Sequence, residues 1–118
     1  MSDVYQVLVG EADRIRAGLA LQLVAAVTGV PVEAMQGGTR ISGPACRARW
    51  LALYLAHIGF GWPLERVGHA FGLNRTTVAT ACAWVEDHRD AADLDALLAR
   101  LEDCIRTVFA GPPCRLPR

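Results

Sequence analysis

Apolar residues recur every three or four positions along most of this chain, which is the spacing of helices that bury one face. The pattern predicts a first helix from about Asp3 to Thr28, ended by Gly29, and a short helical turn from Pro31 to Met35. The apolar stripe of the first helix comprises Val4, Leu8, Ile15, Leu19, Leu23 and Val27. Residues 37–40, Gly-Gly-Thr-Arg, predict a flexible loop after the short turn.

The rest of the chain continues the helical pattern. Ser42 is a suitable N-cap for a helix that ends near Ile58, and residues 59–63, Gly-Phe-Gly-Trp-Pro, break the chain after it. The apolar positions of that helix are Trp50, Leu51, Tyr54, Leu55 and Ile58. Asp93 is predicted to cap a last helix to about Phe109. Its apolar face comprises Leu94, Leu97, Leu98, Leu101, Ile105 and Val108. The pattern therefore predicts an all-α fold, a compact bundle of five to six helices with no strand.

The segment from Val67 to Val78 predicts a helix, a tight glycine turn and a second helix. The first of these two helices carries its apolar residues at helical spacing, and the small Gly68 allows close packing of a neighbouring helix. Gly72 is expected to end that helix in a left-handed conformation. Asn74 can then cap the next helix.

The second helix of this segment has a polar outer side and an apolar inner side. Its outer residues are Arg75, Thr76, Thr77 and Thr80, and its inner stripe comprises Val78, Ala81, Cys82 and Val85. Short polar side chains on the first turns let a helix approach a DNA groove, where hydroxyls and an arginine reach phosphates or base edges. The segment therefore predicts a DNA-binding helix-turn-helix. The alternative is an ordinary pair of helices with a solvated face.

The chain resembles a known family at this point. The similarity is carried by Arg47-Ala-Arg-Trp-Leu-Ala-Leu-Tyr-Leu-Ala56, Pro63-Leu-Glu-Arg-Val-Gly-His-Ala-Phe-Gly72, Thr76-Thr-Val78 and Ala81-Cys82. These segments resemble the C-terminal DNA-binding domain, domain IV, of the bacterial replication initiator DnaA. The resemblance runs from about Leu19 to Phe109. It divides the chain into an N-terminal helical extension, residues 1–18, available to a partner, and a DNA-binding domain, residues 19–118.

The resemblance implies roles for particular residues. In that family a basic element reaches the minor groove and a helix-turn-helix enters the major groove of a short asymmetric box. Arg47 and Arg49 match the basic element, and Thr76 and Thr77 match the threonine pair of the recognition helix. The family usually has Gly-Arg-Asp-His before those threonines, whereas this chain has Leu73-Asn74-Arg75. The DNA sequence that this chain would read therefore does not follow from the resemblance.

Arginine is concentrated in the middle of the chain, although the formal net charge is zero. Between Arg40 and Arg75 there are five arginines and one acid, Glu65, whereas from Thr76 onward five arginines face seven acids. This distribution favours an anionic partner at the central segment. The predicted DNA-binding residues are Arg40, Arg47, Arg49, Asn74, Arg75, Thr76, Thr77 and Thr80.

Other kinds of chemistry find little support in the residues. No phosphate-binding Gly-x-x-x-x-Gly-Lys loop is present, because the chain has no lysine, and Ser2 and Ser42 have no basic partner. Neither the four cysteines nor the three histidines have the spacing of a zinc site. Cys82 and Cys104 are expected to be buried thiols. We therefore expect no enzyme, no cofactor and no metal.

Two functions remain open. The first is sequence-specific binding of double-stranded DNA at initiator-box-like sites, which would modulate replication initiation or transcription. The second is a protein-interaction module that contacts the initiator or another regulatory protein. The chain opens without a basic, apolar leader, and its apolar segment around Leu19 to Val27 is too short to span a bilayer. We therefore expect a cytoplasmic, nucleoid-associated bacterial protein with no membrane partner.

Overall fold

Helices account for most of the chain in the computed structural model, which describes residues 2–37 and 42–117, with side chains from residue 10 onward. They are α1 (Ser2–Thr28), α2 (Val32–Met35), α3 (Gly43–Gly59), α4 (Leu64–Phe71), α5 (Arg75–His88) and α6 (Ala92–Val108). No strand occurs within the described ranges. The predicted all-α bundle of five to six helices is confirmed.

Helix α3 lies at the centre of the bundle. Residues 51–56 are all buried, so this part of the helix contacts neighbours on every side instead of along one stripe. Helices α1, α5 and α6 pack around it, and α4 packs against both α1 and α5. Ile58, predicted to lie on the apolar face, is 43% exposed. The burial of α3 gives α5 a fixed support.

Helix α1 buries a different face from the one predicted. The buried positions on its described part are Asp13, Ala17, Ala20, Leu21 and Val24. Ile15 and Val27, which belong to the predicted stripe, are 70% and 46% exposed. The prediction gave weight to large apolar residues, whereas the small alanines face inward and let α1 approach α3 closely. The helix also runs without a break across residue 18, where the N-terminal extension was predicted to end.

Several helix ends match their predictions. The Ser42 Oγ accepts a hydrogen bond from the Ala45 N–H at 3.1 Å, as an N-cap does. Gly29, with φ 76°, follows the end of α1. The predicted turn from Pro31 to Met35 is α2. The loop predicted at residues 37–40 lies outside the described residues after Gly37.

The last helix differs from its prediction in three places. Ala91, not Asp93, occupies the N-cap position, and Asp93 lies in the first turn, where its charge favours the helix dipole. Val108 is 61% exposed although it was placed on the apolar face. Cys104 is exposed, so its predicted burial is wrong. The buried residues of α6 are Leu98, Leu101 and Ile105, and the helix packs against α3.

An ion pair joins α1 to α4, with the Asp13 side chain buried and the Arg66 side chain 43% exposed. Both carboxylate oxygens of Asp13 accept hydrogen bonds from the Arg66 guanidinium, from Nε and from a terminal nitrogen, each at 2.8 Å. Asp13 is only 4% exposed. The hydrogen bonds from Arg66 hold the pKa of this carboxyl below its ordinary value of 3.8, against the effect of burial. The same guanidinium lies 4.8 Å from the centre of the Trp62 ring.

A second polar network joins the end of α5 to α3 and α6. The Arg89 guanidinium donates to Asp95 and to Glu102, each at 2.6 Å, and to the Tyr54 hydroxyl at 3.0 Å. That hydroxyl in turn donates to Glu86 at 2.6 Å. Burial and the bond to Glu86 raise the pKa of Tyr54, so it stays a donor at neutral pH. The network positions the C-terminal end of α5.

Replacing Asp13 with Asn should lower the free energy of unfolding by about 1 to 3 kcal/mol at neutral pH, because the charge-assisted pair is lost. The depressed pKa stabilises the fold above the ordinary value of 3.8, and this contribution disappears as pH falls below it. The difference between parent and variant should therefore shrink between about pH 5 and pH 3 in urea unfolding.

The matched control for this experiment is Asp103→Asn. Asp103 pairs with Arg106 on the surface at 3.2 Å, with both side chains largely exposed, so its loss should have no measurable effect. Equal stability of Asp13→Asn and the parent at neutral pH would show that the ion pair does not stabilise the junction of α1 and α4.

Candidate nucleic-acid interface

Gly72 ends α4 in the left-handed conformation that the sequence predicts. Its φ is 71° and its ψ is 31°. The N–H of Leu73 reaches back to the carbonyl of Gly68 at 2.8 Å, which closes the end of the helix. Only Gly72, Leu73 and Asn74 separate α4 from α5. The chain therefore changes direction within a three-residue turn.

Asn74 begins α5 in the predicted way. Its Oδ1 accepts a hydrogen bond from the Thr77 N–H at 2.7 Å, and its backbone is extended, with φ −81° and ψ 161°. This cap satisfies one of the free N–H groups at the start of the helix. The N–H groups of Arg75 and Thr76 also belong to the first turn of α5, which is exposed. The turn therefore presents a helix N-terminus to solvent.

Gly68 sets how closely the turn packs on α4. The residue is buried, and a Cβ built on it would lie 2.6 Å from the carbonyl oxygen of Leu73. No real Cβ tolerates that separation from a backbone atom, so only glycine fits without a shift of the turn. The predicted need for a small residue at this position is explained by the backbone of the turn itself.

The two sides of α5 are divided as predicted except at Thr77. Val78, Ala81, Cys82 and Val85 are buried. Arg75, Thr76 and Thr80 are exposed with Asn74, whereas Thr77 is half-buried. Burial raises the pKa of the Cys82 thiol to about 11, so it stays protonated, in agreement with its predicted burial. Arg75 is near Glu65 of α4, but the 3.9 Å separation between two exposed side chains is a weak contact.

Arg47 and Arg49 lie two residues apart on α3 and have different surroundings. Arg47 is exposed, and its guanidinium carbon lies 5.1 Å from the centre of the Trp84 ring. Arg49 lines a cleft together with Thr77. Trp84 follows Thr77 by seven residues, which is two helical turns or about 10 Å along the axis. The structure thus brings both arginines to α5, but to different parts of it.

Trp84 is a residue that the sequence reasoning missed. Its ring stacks on His88 at 4.1 Å between ring centres and contacts Trp50 at 5.6 Å, beside Arg47. Its spacing of seven residues from Thr77 is the signal that could have placed it on this side of α5. Arg14 of α1, which lines the same cleft as Arg49, was also missed, because nothing in the sequence pairs α1 with the turn.

Arg40, the remaining predicted DNA-binding residue, lies outside the described residues. Among the residues that are described, no three His, Cys, Asp or Glu side chains converge as metal ligands would. The described helices also include none with the length and apolar character to cross a bilayer.

Asn74, Arg75, Thr76 and Thr80 form the exposed start of α5, which we call the first-turn surface.

Replacing Gly68 with Ala should lower the free energy of unfolding by about 1 to 3 kcal/mol, because the methyl group collides with the Leu73 carbonyl. Gly18→Ala in α1 is the control, since its Cβ meets nothing within 4 Å. That change should be neutral or stabilise the protein by up to about 1 kcal/mol. Thermal or urea unfolding of both variants measures this. Equal stability of Gly68→Ala and the parent would contradict the close packing of turn and helix.

No protein-family model matches the chain, and no curated protein matches it significantly.

Proposed function

We propose that this protein binds double-stranded DNA by inserting the first-turn surface of α5 into the major groove. The observation that carries the proposal is the arrangement at the start of α5. A cap from Asn74 and a left-handed glycine hold the helix end outward, while the inner stripe is buried against α3. Arg75, Thr76 and Thr80 are left exposed. Such a surface suits contacts with base edges and phosphates.

The chemistry of the first turn favours an anion. Free backbone N–H groups and the helix dipole place a partial positive charge at the start of α5, where phosphate groups bind well. The Arg75 guanidinium can donate two parallel hydrogen bonds to a phosphate or to guanine. The hydroxyls of Thr76 and Thr80 can donate or accept. Arg47, exposed beside Trp84, supplies a second cationic contact along the same helix.

The distribution of charge agrees with this orientation. The exposed arginines Arg47 and Arg75 lie on α3 and α5, whereas four of the acids after Thr76 lie on α6. Phosphate contacts from cationic side chains supply most non-specific affinity for DNA, so a local excess matters more than the net charge. Together with the resemblance to the DnaA C-terminal domain, this supports a role in replication initiation or transcription at initiator-box-like sites, in association with the nucleoid.

Fluorescence anisotropy with a labelled random duplex at several salt concentrations tests the proposal. Binding should weaken steeply as salt rises, because condensed counterions are released on binding. Selection of bound sequences from a random library should then recover a preferred site. Absence of salt-dependent binding would overturn the proposal. That result would favour the alternative of a module that contacts the initiator or another regulatory protein.

Arg75→Ala should weaken binding to the selected site by about 1 to 3 kcal/mol, because Arg75 makes a base or charge-assisted contact. The control is Arg100→Ala, which removes an exposed arginine from α6, away from the first turn of α5. Anisotropy titrations of both variants at one salt concentration give the comparison. Equal losses for the two variants would show that Arg75 acts only through the overall charge.

Arg47→Ala should weaken binding to all duplexes alike, since one phosphate contact is lost. The slope of log affinity against log salt concentration should fall by roughly 1. Arg47→Lys keeps the charge and should retain most of the slope. Titrations of the selected site and a random duplex at four salt concentrations measure both variants. An unchanged slope for Arg47→Ala would remove Arg47 from the interface.

A further inference from the structure

A cleft of about 720 Å³ lies between α1, the end of α2 and the turn that joins α4 to α5. Its size is that of sites for small organic ligands, which range from about 300 to 1,000 Å³. Its walls come from elements far apart in sequence, including Arg14 of α1, Arg49 of α3 and Thr77 of α5. The cleft lies beside the first-turn surface but is separate from it.

The polar side of the cleft is cationic. Arg14 and Arg49 both line it, and no carboxylate occurs among its described lining residues. Four other arginines in the described chain, Arg66, Arg75, Arg89 and Arg106, lie beside carboxylates. Arg14 and Arg49 form no such pair among the described residues. Two guanidinium groups without counter-charges favour an oxyanion at this place.

Arg49 provides the sharpest observation. Its Nε is buried and finds no hydrogen-bond partner among the described residues. Buried nitrogen atoms that stay unpaired cost free energy, and native proteins rarely keep one without a partner or a ligand. Because this Nε has almost no accessible surface, an acceptor oxygen in the cleft would pair with it after a movement of the Arg49 side chain. The Thr77 hydroxyl, on the same wall, can donate to a further oxygen of that group.

The remaining wall of the cleft is apolar. Leu21, Met35 and Phe71 line it, from α1, α2 and α4 respectively. Leu21 and Met35 are buried beneath this wall, whereas Ala70, Phe71 and Leu73 are half-buried and keep surface that a ligand can contact. Apolar lining with a small number of converging polar groups is the usual composition of a small-molecule site. A bare inorganic anion would leave this surface without contacts.

We propose that the cleft binds a small organic anion, with its carboxylate, phosphate or sulfonate group at Arg14 and Arg49 and its apolar body against Ala70, Phe71 and Leu73. A phosphate of a DNA duplex fits less well, because the apolar lining has no use in that contact. This ligand would contact the turn that orients α5. Its binding does not depend on the function proposed above.

The probe is anilinonaphthalene sulfonate, an anion with an apolar aromatic body whose fluorescence rises on binding. It should bind the folded 118-residue chain at one site and raise the unfolding temperature. The uncharged counterpart, phenylnaphthylamine, should bind at least about tenfold more weakly because it lacks the oxyanion. Equal affinity for the two probes would overturn the proposal, and so would failure of the sulfonate probe to bind.

Variants on α1 and α3 locate the site. Arg14→Gln and Arg49→Gln should each weaken binding of the sulfonate probe about tenfold, as expected for loss of a charged partner. Arg16→Gln is the matched control on α1, because Arg16 lies over the Phe109 ring at 4.6 Å and does not line the cleft. It should bind the probe as the parent does. If Arg16→Gln alone weakened binding, the probe would lie elsewhere and the proposal would fail.

A further variant tests the cleft without removing a charge. Gly18 lines it, and a Cβ there meets nothing within 4 Å, so Gly18→Leu should fold and narrow the cleft. This variant should also bind the sulfonate probe more weakly than Gly18→Ala does. The proposal would be overturned if both Gly18→Leu and Arg49→Gln bound the probe as the parent does. If Arg49→Gln then also bound DNA more weakly, Arg49 would be assigned to the DNA interface.

Discussion

The position of the candidate interface depends on the close approach between Gly68 and the carbonyl of Leu73. At this point the turn packs against α4 with no space for a side chain between them. The left-handed Gly72 and the Asn74 cap complete the change of direction within three residues. Because the inner stripe of α5 is then buried against α3, the rotation of α5 about its axis is determined. The residues that face solvent on its first turn follow from that rotation.

Two polar anchors hold this arrangement from outside the turn. The Asp13–Arg66 pair attaches α4 to α1, and the Arg89 network attaches the end of α5 to α3 and α6. The Asp13–Arg66 pair joins helices that are distant in sequence, whereas the Arg89 network joins α5 both to the next helix, α6, and to the more distant α3. Removing charged groups from water costs desolvation free energy. Such pairs therefore select one arrangement of helices as much as they stabilise the fold. The first-turn surface itself makes few contacts within the protein.

The arginines of this chain lie in different environments, which cannot be told apart from the amino-acid composition. Arg66 and Arg89 are engaged within the fold, whereas Arg75 and Arg47 are exposed along α5. Arg49, two residues from Arg47, lines the cleft with a buried, unpaired Nε. The proposed DNA interface and the proposed ligand cleft are therefore two separate surfaces beside one turn. A ligand in the cleft would contact the same turn that orients α5.

The local features of this protein could be predicted from its residues alone, because helix ends, caps and left-handed turns depend on residues close together in the chain. The φ of Gly72, the cap from Asn74, the N-cap at Ser42 and the buried inner stripe of α5 all agree with prediction. Tertiary structure alone decided which face of α1 is buried, because close packing favoured its alanines over the larger Ile15 and Val27. It likewise decided the partners of Arg66, the exposure of Cys104 and the place of Arg49 in the cleft, since these depend on which helices meet.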